Sequence, residues 1–299
     1  MTTIAATRHT TIAILVDNEA GAGLEAEHCL ALWIETDGWN CLFDTGQGVA
    51  LKENARILGI DPHCAHGLVL SHGHYDHTGG LAALLPSCRH LDVYCHPAVA
   101  SPRYAIRNRQ AKPLQMPRNA MAVLDRHPQE HLHWVQQPIM LTETVGLTGP
   151  IVRETVFEDT GGPFYLDQHG HRPDPVDDDL ALWIRTGQGL IVCVGCAHAG
   201  LVNTLQQVRR LTGDLPIRAV IGGFHLLNAD QRRLEQTIAA LRRLDPEVIV
   251  PCHCTGEEAV NELRHAFGRR CRPGMAGMLC RFAPVPPKKS PRSSPLPST

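Results

Sequence analysis

An α/β protein is predicted by three features of the chain. Four segments repeat one plan: a short β-branched apolar run, a loop carrying histidine, then an apolar pattern of helical period. The 18 histidines form no tract, and several fall just past those apolar runs. The 299 residues are 43% hydrophobic, enough for a sizeable core in one large domain or two small ones.

The four segments are "HGLVLSHGHYDHTGGLAALL" from His66, "GLIVCVGCAHAGLVNTLQQV" from Gly189, "IRAVIGGFHLLNADQRRLEQTIAALRRL" from Ile217 and "EVIVPCHCTGEEAVNELRHAF" from Glu247. Each apolar run reads as a buried strand. Asp230 is placed to cap the helix of the third segment. Thr255 is placed to cap that of the fourth, with Glu258 completing a capping box. The histidines then lie at the C-terminal ends of several strands, the edge where α/β proteins gather ligands. Four units with that feature predict one shared site. Residues 98–137, rich in Arg, Gln, His and Pro, read as excursions over the core that carry substrate contacts. "PVPPKKSPRSSPLPST" (Pro284 to Thr299) reads as a disordered tail, which leaves residues 1–283 as the folded domain.

A formal net charge of −2 gives no footprint for nucleic acid or an anionic membrane. No run reaches the ~18 to 20 apolar residues of a membrane span. "MTTIAATRHT" shows no signal-peptide pattern. The eleven cysteines have no framework spacing, so they read as reduced thiols of a cytoplasmic protein, mostly packed in the core as Cys193 in "LIVCVG" suggests.

The densest feature is "SHGHYDHTGG", Ser71 to Gly80. In an extended segment His72 and His74 point the same way, at one centre. A turn after Asp76 sends His77 to a second centre. Imidazole and carboxylate donors suit Zn²⁺, Fe or Mn²⁺. Gly73 and the pair Gly79-Gly80 let the backbone approach and turn closely.

"HGHYDH" followed by "TGGL" resembles the HxHxDH signature of the metallo-β-lactamase superfamily. The resemblance implies a four-layer αββα sandwich: two mixed β-sheets face to face, helices outside, and a dinuclear metal site at one edge. "NCLFDTGQG" is similar to the family's early strand ending in Asp, here Asp44, which orients a metal-bound His on that reading and is a turn residue otherwise. "PCHCTG" is similar to the late strand ending in a ligand, here His253. "ILVDN", "LFDTGQG", "TGPIVRETVFE", "VGCAHAGLVN" and "GGFHL" extend the similarity from Ile12 to Phe282. Together they resemble a subgroup whose reference activity is 7,8-dihydropterin-6-methyl-4-(β-D-ribofuranosyl)aminobenzene-5'-phosphate synthase.

The chain departs from the superfamily pattern twice. "RPDPVDDDLALW" lacks the third His of the first metal position, although His169 and His171 are near; His198 is the expected replacement. Cys196 stands where the bridging Asp belongs, either as a thiolate ligand or as a buried free thiol. His225 is either a ligand or, as preferred, a substrate contact or supporting donor. Arg153 holds a phosphate or forms a surface ion pair with Glu154 or Glu158. His28 in "EAEHCLAL" resembles the subgroup's "EHG" or is a surface residue, and Cys252 and Cys254 flanking His253 read as packing plus loop chemistry. The expectation is a metal-dependent hydrolase, or a related transferase releasing diphosphate from a pterin diphosphate. Two divalent ions, Zn²⁺ foremost, would lie ~3.5 to 4 Å apart and activate water, with Asp76 orienting the nucleophile. The partner is a small molecule. The alternative is a di-iron redox or sensor protein on the same fold, against which stands the lack of an attached flavin or rubredoxin module.

Overall fold

The structure is a computed structural model that describes residues 6–7 and 9–283. The expected tail from Pro284 lies outside the described residues.

Numbered along the chain, β1 (Thr10–Val16), β2 (Ala31–Thr36), β3 (Trp39–Phe43), β4 (Gly67–Val69), β5 (Asp92–Cys95), β8 (Leu132–Trp134) and β16 (Leu279–Phe282) form one sheet. Its order is β16-β1-β2-β3-β4-β5-β8, parallel from β3 to β8. A second sheet has the order β15-β14-β13-β12-β10-β9. It comprises β9 (Ile139–Met140), β10 (Val145–Leu147), β12 (Ala181–Thr186), β13 (Gly189–Val194), β14 (Ile217–Gly223) and β15 (Val248–Cys252). The last three pair in parallel. A small third sheet joins β6 (Tyr104–Arg107), β7 (Gln110–Pro113) and β11 (Phe164–Tyr165).

The apolar runs are continuous because both faces of each large sheet are covered. In β1, Ile12 and Ile14 meet Ile191, Cys193 and Ile221 of the second sheet. The alternate residues Ala13 and Leu15 pack with α1 (Ala50–Ile57), α3 (Leu81–Leu84) and α4 (Arg118–Asp125). Leu190, Val192 and Val194 of β13 face α5 (Leu201–Leu211), α6 (Gln231–Leu244) and α7 (Glu257–Phe267) in the same manner. The result is the four-layer αββα sandwich that the resemblance implies.

Three local expectations meet the coordinates. Asp230 caps α6, its carboxylate accepting from Arg233 N at 2.7 Å. Thr255 does not cap α7, whose N-cap is Gly256 at φ 83°. A 3-10 turn over His253–Thr255 takes up the threonine, and its hydroxyl donates to Cys252 O and accepts from Phe224 N. Residues 98–137 are only partly an excursion. The β6–β7 hairpin is one, but Ala120 and Leu124 of α4 enter the core and β8 is the edge strand of the first sheet. Among the described residues no helix is long and apolar enough to cross a membrane.

Candidate metal centre

The loops after β3 and β4 meet the loops after β13, β14 and β15 at one edge of the sandwich. Four non-glycine residues in these loops have left-handed backbones: Asp44 (φ 62°), Ala197 (φ 48°), His225 (φ 46°) and His253 (φ 47°). Such conformations cost on the order of 1 to 3 kcal/mol each and gather at functional sites. The short helix α2 (Tyr75–Thr78) begins directly after His74, so Asp76 and His77 leave the extended segment on a helical turn. Glycine is required at Gly73 and Gly79, where a Cβ would overlap the backbone of Val99 and Gln47 respectively.

Hydrogen bonds fix the rings. Ser71 Oγ donates to Asp44 Oδ2 at 2.7 Å, so it accepts from His72 Nδ1 at 2.8 Å and leaves Nε2 of His72 as an acceptor. His77 Nδ1 donates to Asp44 Oδ2 at 2.7 Å and turns its Nε2 to Cys196 Sγ at 3.1 Å. His198 Nδ1 donates to Thr160 O at 2.8 Å. Nε2 of His74 and of His198 are buried with no partner. Two orphaned acceptors of this kind in one cluster call for a bound cation.

A second donor set lies beside the first. Asn18 Nδ2 donates to His253 O, which leaves its Oδ1 to accept from His253 Nδ1 at 2.9 Å. Nε2 of His253 then faces Asp76 Oδ2 at 3.3 Å, and His28 Nε2 lies 3.8 Å from the same oxygen. A lone pair opposite a carboxylate needs a proton or a metal ion between them. The donor atoms of His72, His74 and His198 all lie within 4.8 Å of one another, as do those of His72, His77 and Cys196, and those of His28, Asp76 and His253. Borderline nitrogen, one thiol and a carboxylate fit Zn²⁺ or a neighbouring divalent ion.

Electrostatics favour the ligating forms of His72, His74, His198 and Asp76, but not of His77 or of Cys196, whose thiol burial pushes up. Burial, reinforced by neighbouring imidazoles and, at His72 and His74, by Arg103, holds His72, His74 and His198 well below the usual histidine range. Against burial, the His253 hydrogen bond and the charge of His77 hold Asp76 well below the carboxylate range. His77, also against burial, is raised to about 9 by Asp44. Burial lifts Asp179, whose carboxylate accepts from Ala199 N, to about 7.

His28, His74, Asp76, Cys196, His198 and His253 line the floor of a cavity of about 430 Å³. Phe164 walls it, its ring 5.3 Å from His198 and 5.4 Å from His74. The β6–β7 hairpin supplies Arg107 and Lys112 to the rim, with Lys112 Nζ 5.7 Å from the Tyr75 ring centre. A buried ion-pair latch ties the hairpin to the metal loop. Arg103 contacts Asp174 at 3.2 Å and Asp178 at 2.5 Å, and Asp178 accepts from Gly73 N at 2.8 Å.

The seven expected metal donors, His72, His74, Asp76, His77, Cys196, His198 and His253, are thus in one cluster, with Asp44 beneath it. His225 lines the cavity, its ring 4.3 Å from that of His198. Arg153 does not line it. Its guanidinium donates to the carbonyls of His198 (2.8 Å) and Pro175, while Glu154 pairs with Arg210 instead. His169 and His171 stack on each other in an exposed turn around Asp167 and take no part. His28, only weakly marked by the sequence, joins the second donor set. Cys252 packs between the sheets as expected, but Cys254 faces Cys196 and His225 across the cavity floor. Cys193 and Cys196 are spaced as a CxxC, yet Cys193 lies in the core between the sheets.

The sequence model of the metallo-β-lactamase superfamily matches residues 24–253. The 7,8-dihydropterin-6-methyl-4-(β-D-ribofuranosyl)-aminobenzene-5'-phosphate synthase of Methanocaldococcus jannaschii is 30% identical over 271 residues, 86% of this chain and 90% of that protein. An uncharacterised protein of the same organism is 29% identical over 261 residues, 84% of this chain and 93% of its own length. A solved metal-dependent hydrolase of the β-lactamase superfamily superposes with a TM-score of 0.77 at 30% identity, covering 92% of this chain and all (100%) of that one. Zn²⁺-bound PqqB from Methylobacterium extorquens shares the fold at a TM-score of 0.53 and 12% identity, covering 90% of this chain and 99% of that one.

Proposed function

The chain belongs to the metallo-β-lactamase superfamily, and from that premise we propose a metal-dependent enzyme acting on a small phosphorylated substrate, a dihydropterin diphosphate foremost. The observation that carries the metal dependence is the pair of buried, unpartnered Nε2 atoms of His74 and His198 beside His72. In this reading His72, His74 and His198 hold one divalent ion. Asp76, His253 and His28 would hold a second, and His77 and Cys196 would add donors next to His72. Zn²⁺ is the ion that the donor set suits best.

When bound, such ions neutralise a leaving diphosphate and lower the pKa of a water toward ~7. The rest falls to the chain. Asp76, kept ionised, orients the incoming nucleophile. Arg107 and Lys112 at the rim meet the anionic end of the substrate. His225 lines the same cavity and contacts the substrate. Phe164 excludes water from the floor. Arg153 acts through His198, whose carbonyl it holds, and is a positioning residue rather than a phosphate contact. Support for the pterin reading is the 30% identity with the synthase across most of both chains.

The test is an assay of zinc-loaded protein with dihydropterin diphosphate and β-ribofuranosylaminobenzene phosphate, read by mass spectrometry. Coupled product plus diphosphate is the expected result. Hydrolysis without coupling would make the protein a hydrolase. Cleavage of lactones or phosphodiesters with no action on the pterin would overturn the substrate assignment.

A further inference from the structure

The loops after β13, β14 and β15 place Cys196, His225 and Cys254 together. One donor atom from each lies within 4.8 Å of the other two. Both cysteines are buried, and both thiols are free. Nδ1 of His225 is buried with no hydrogen-bond partner. Gly223 is pressed between the two thiol-bearing loops, since a Cβ there would strike Cys254 Sγ and approach the Cys196 backbone. Cys254 belongs to none of the donor sets already described, although Cys196 also stands with His72 and His77.

We propose that Cys196, His225 and Cys254 form a third metal position, selective for a soft or borderline ion such as Zn²⁺, Cd²⁺ or Cu⁺. The donor chemistry differs from that of the imidazole set. His72, His74 and His198 offer nitrogen alone, while here two sulfurs join one nitrogen, and thiolates select softer ions. Binding replaces the thiol protons, which leave to solvent as the two S–metal bonds form. Cys196 is common to this set and to the set with His72 and His77, so its sulfur links the third position to the catalytic floor. His225 presents one ring nitrogen to the thiols and keeps the other for the cavity.

The position also has a structural consequence. Its three donors come from the ends of three adjacent parallel strands, each followed by or containing a left-handed residue: Ala197, His225 and, beside Cys254, His253. An ion there ties the three strained turns to one another. The proposal rests on metal binding at the cavity floor and not on the identity of the reaction.

The experiment loads the full-length protein with Cd²⁺ and counts bound ions by native mass spectrometry, with ¹¹³Cd NMR to identify sulfur ligation. The expected result is one strongly downfield, thiolate-bound resonance that Cys254→Ser abolishes together with one equivalent of cadmium. His74→Ala should keep that resonance. His225→Ala provides a second variant that leaves both sulfurs in place, and it should weaken the same site by at least ~10-fold. An unchanged cadmium count and sulfur-bound signal in folded Cys254→Ser would overturn the proposal. So would a thiol titration showing Cys196 and Cys254 joined as a disulfide in freshly purified protein. Failure of the pterin assay would leave these readouts untouched.

Discussion

The loop after β4 and the loops after β13, β14 and β15 build opposite halves of one site by different means. The first delivers His72, His74, Asp76 and His77 within six residues, wired through Ser71 and His77 to Asp44 in the loop after β3. The second delivers Cys196, His198, His225, His253 and Cys254 from three strands, with left-handed residues at each turn. The contiguous half is positioned by hydrogen bonds to the side chains of Asp44 and Asp178. A distributed half is positioned by strand order, so its geometry is inseparable from the packing of β13, β14 and β15.

The sharpest way to break this contrast is to remove one donor from each half. His74→Ala should abolish metal binding at its position and activity with it, at unchanged circular dichroism. His198→Ala should do the same to a similar degree if the distributed half ligates as fully as the contiguous one. Metal content by mass spectrometry decides. A loss in His198→Ala of only ~10- to 100-fold in affinity would demote it to a supporting residue.

Breaking the latch that ties the β6–β7 hairpin to the contiguous half is the next largest effect. Arg103 is 1% exposed between Asp174 and Asp178, and Asp178 holds Gly73 N. Arg103→Ala strands two buried carboxylates and should cost about 3 to 5 kcal/mol in chemical denaturation. Asp44→Asn is milder. It keeps the shape but removes the charge facing His77, and should weaken metal binding ~10- to 100-fold without moving the distributed donors.

The smallest effect is on the pH dependence of the metal-free protein. His72, His74 and His198 titrate below the 6.5 of an unperturbed histidine. Below pH 6.5 the unfolded chain therefore binds more protons than the native one, and Tm falls as pH drops. His77 is raised to about 9 from 6.5. Its contribution is complete below pH 6.5 and is lost as pH rises through about 9. Tm of the stripped protein should peak near neutrality, and His77→Gln should flatten the alkaline side alone. A monotonic profile would contradict the assignment.

The sequence by itself determined the buried strands and the contiguous half of the site, and its resemblance to a known superfamily implied the sandwich. Continuous β-branched runs such as "GLIVCV" report burial on both faces, and two-residue spacing puts His72 and His74 on one side of an extended segment. It also marked His198 as a donor, because it follows such a run, and left Cys196 open between ligand and free thiol. Only the tertiary structure decided what lies across from them. His28 sits on a loop with no periodicity, and its place beside Asp76 depends on the path from β1 to β2. Cys254 looks like packing next to Cys252, but the 3-10 turn after β15 sends the two sulfurs to opposite destinations, one between the sheets and one to the cavity. Thr255 lost its cap to the same turn. Arg153 reads as an anion contact from its charge, yet two backbone carbonyls 45 and 22 residues away claim its guanidinium. Local spacing fixes which side of a strand or helix a side chain leaves from. Which partner it meets depends on contacts between residues distant in the chain, and no local pattern encodes those.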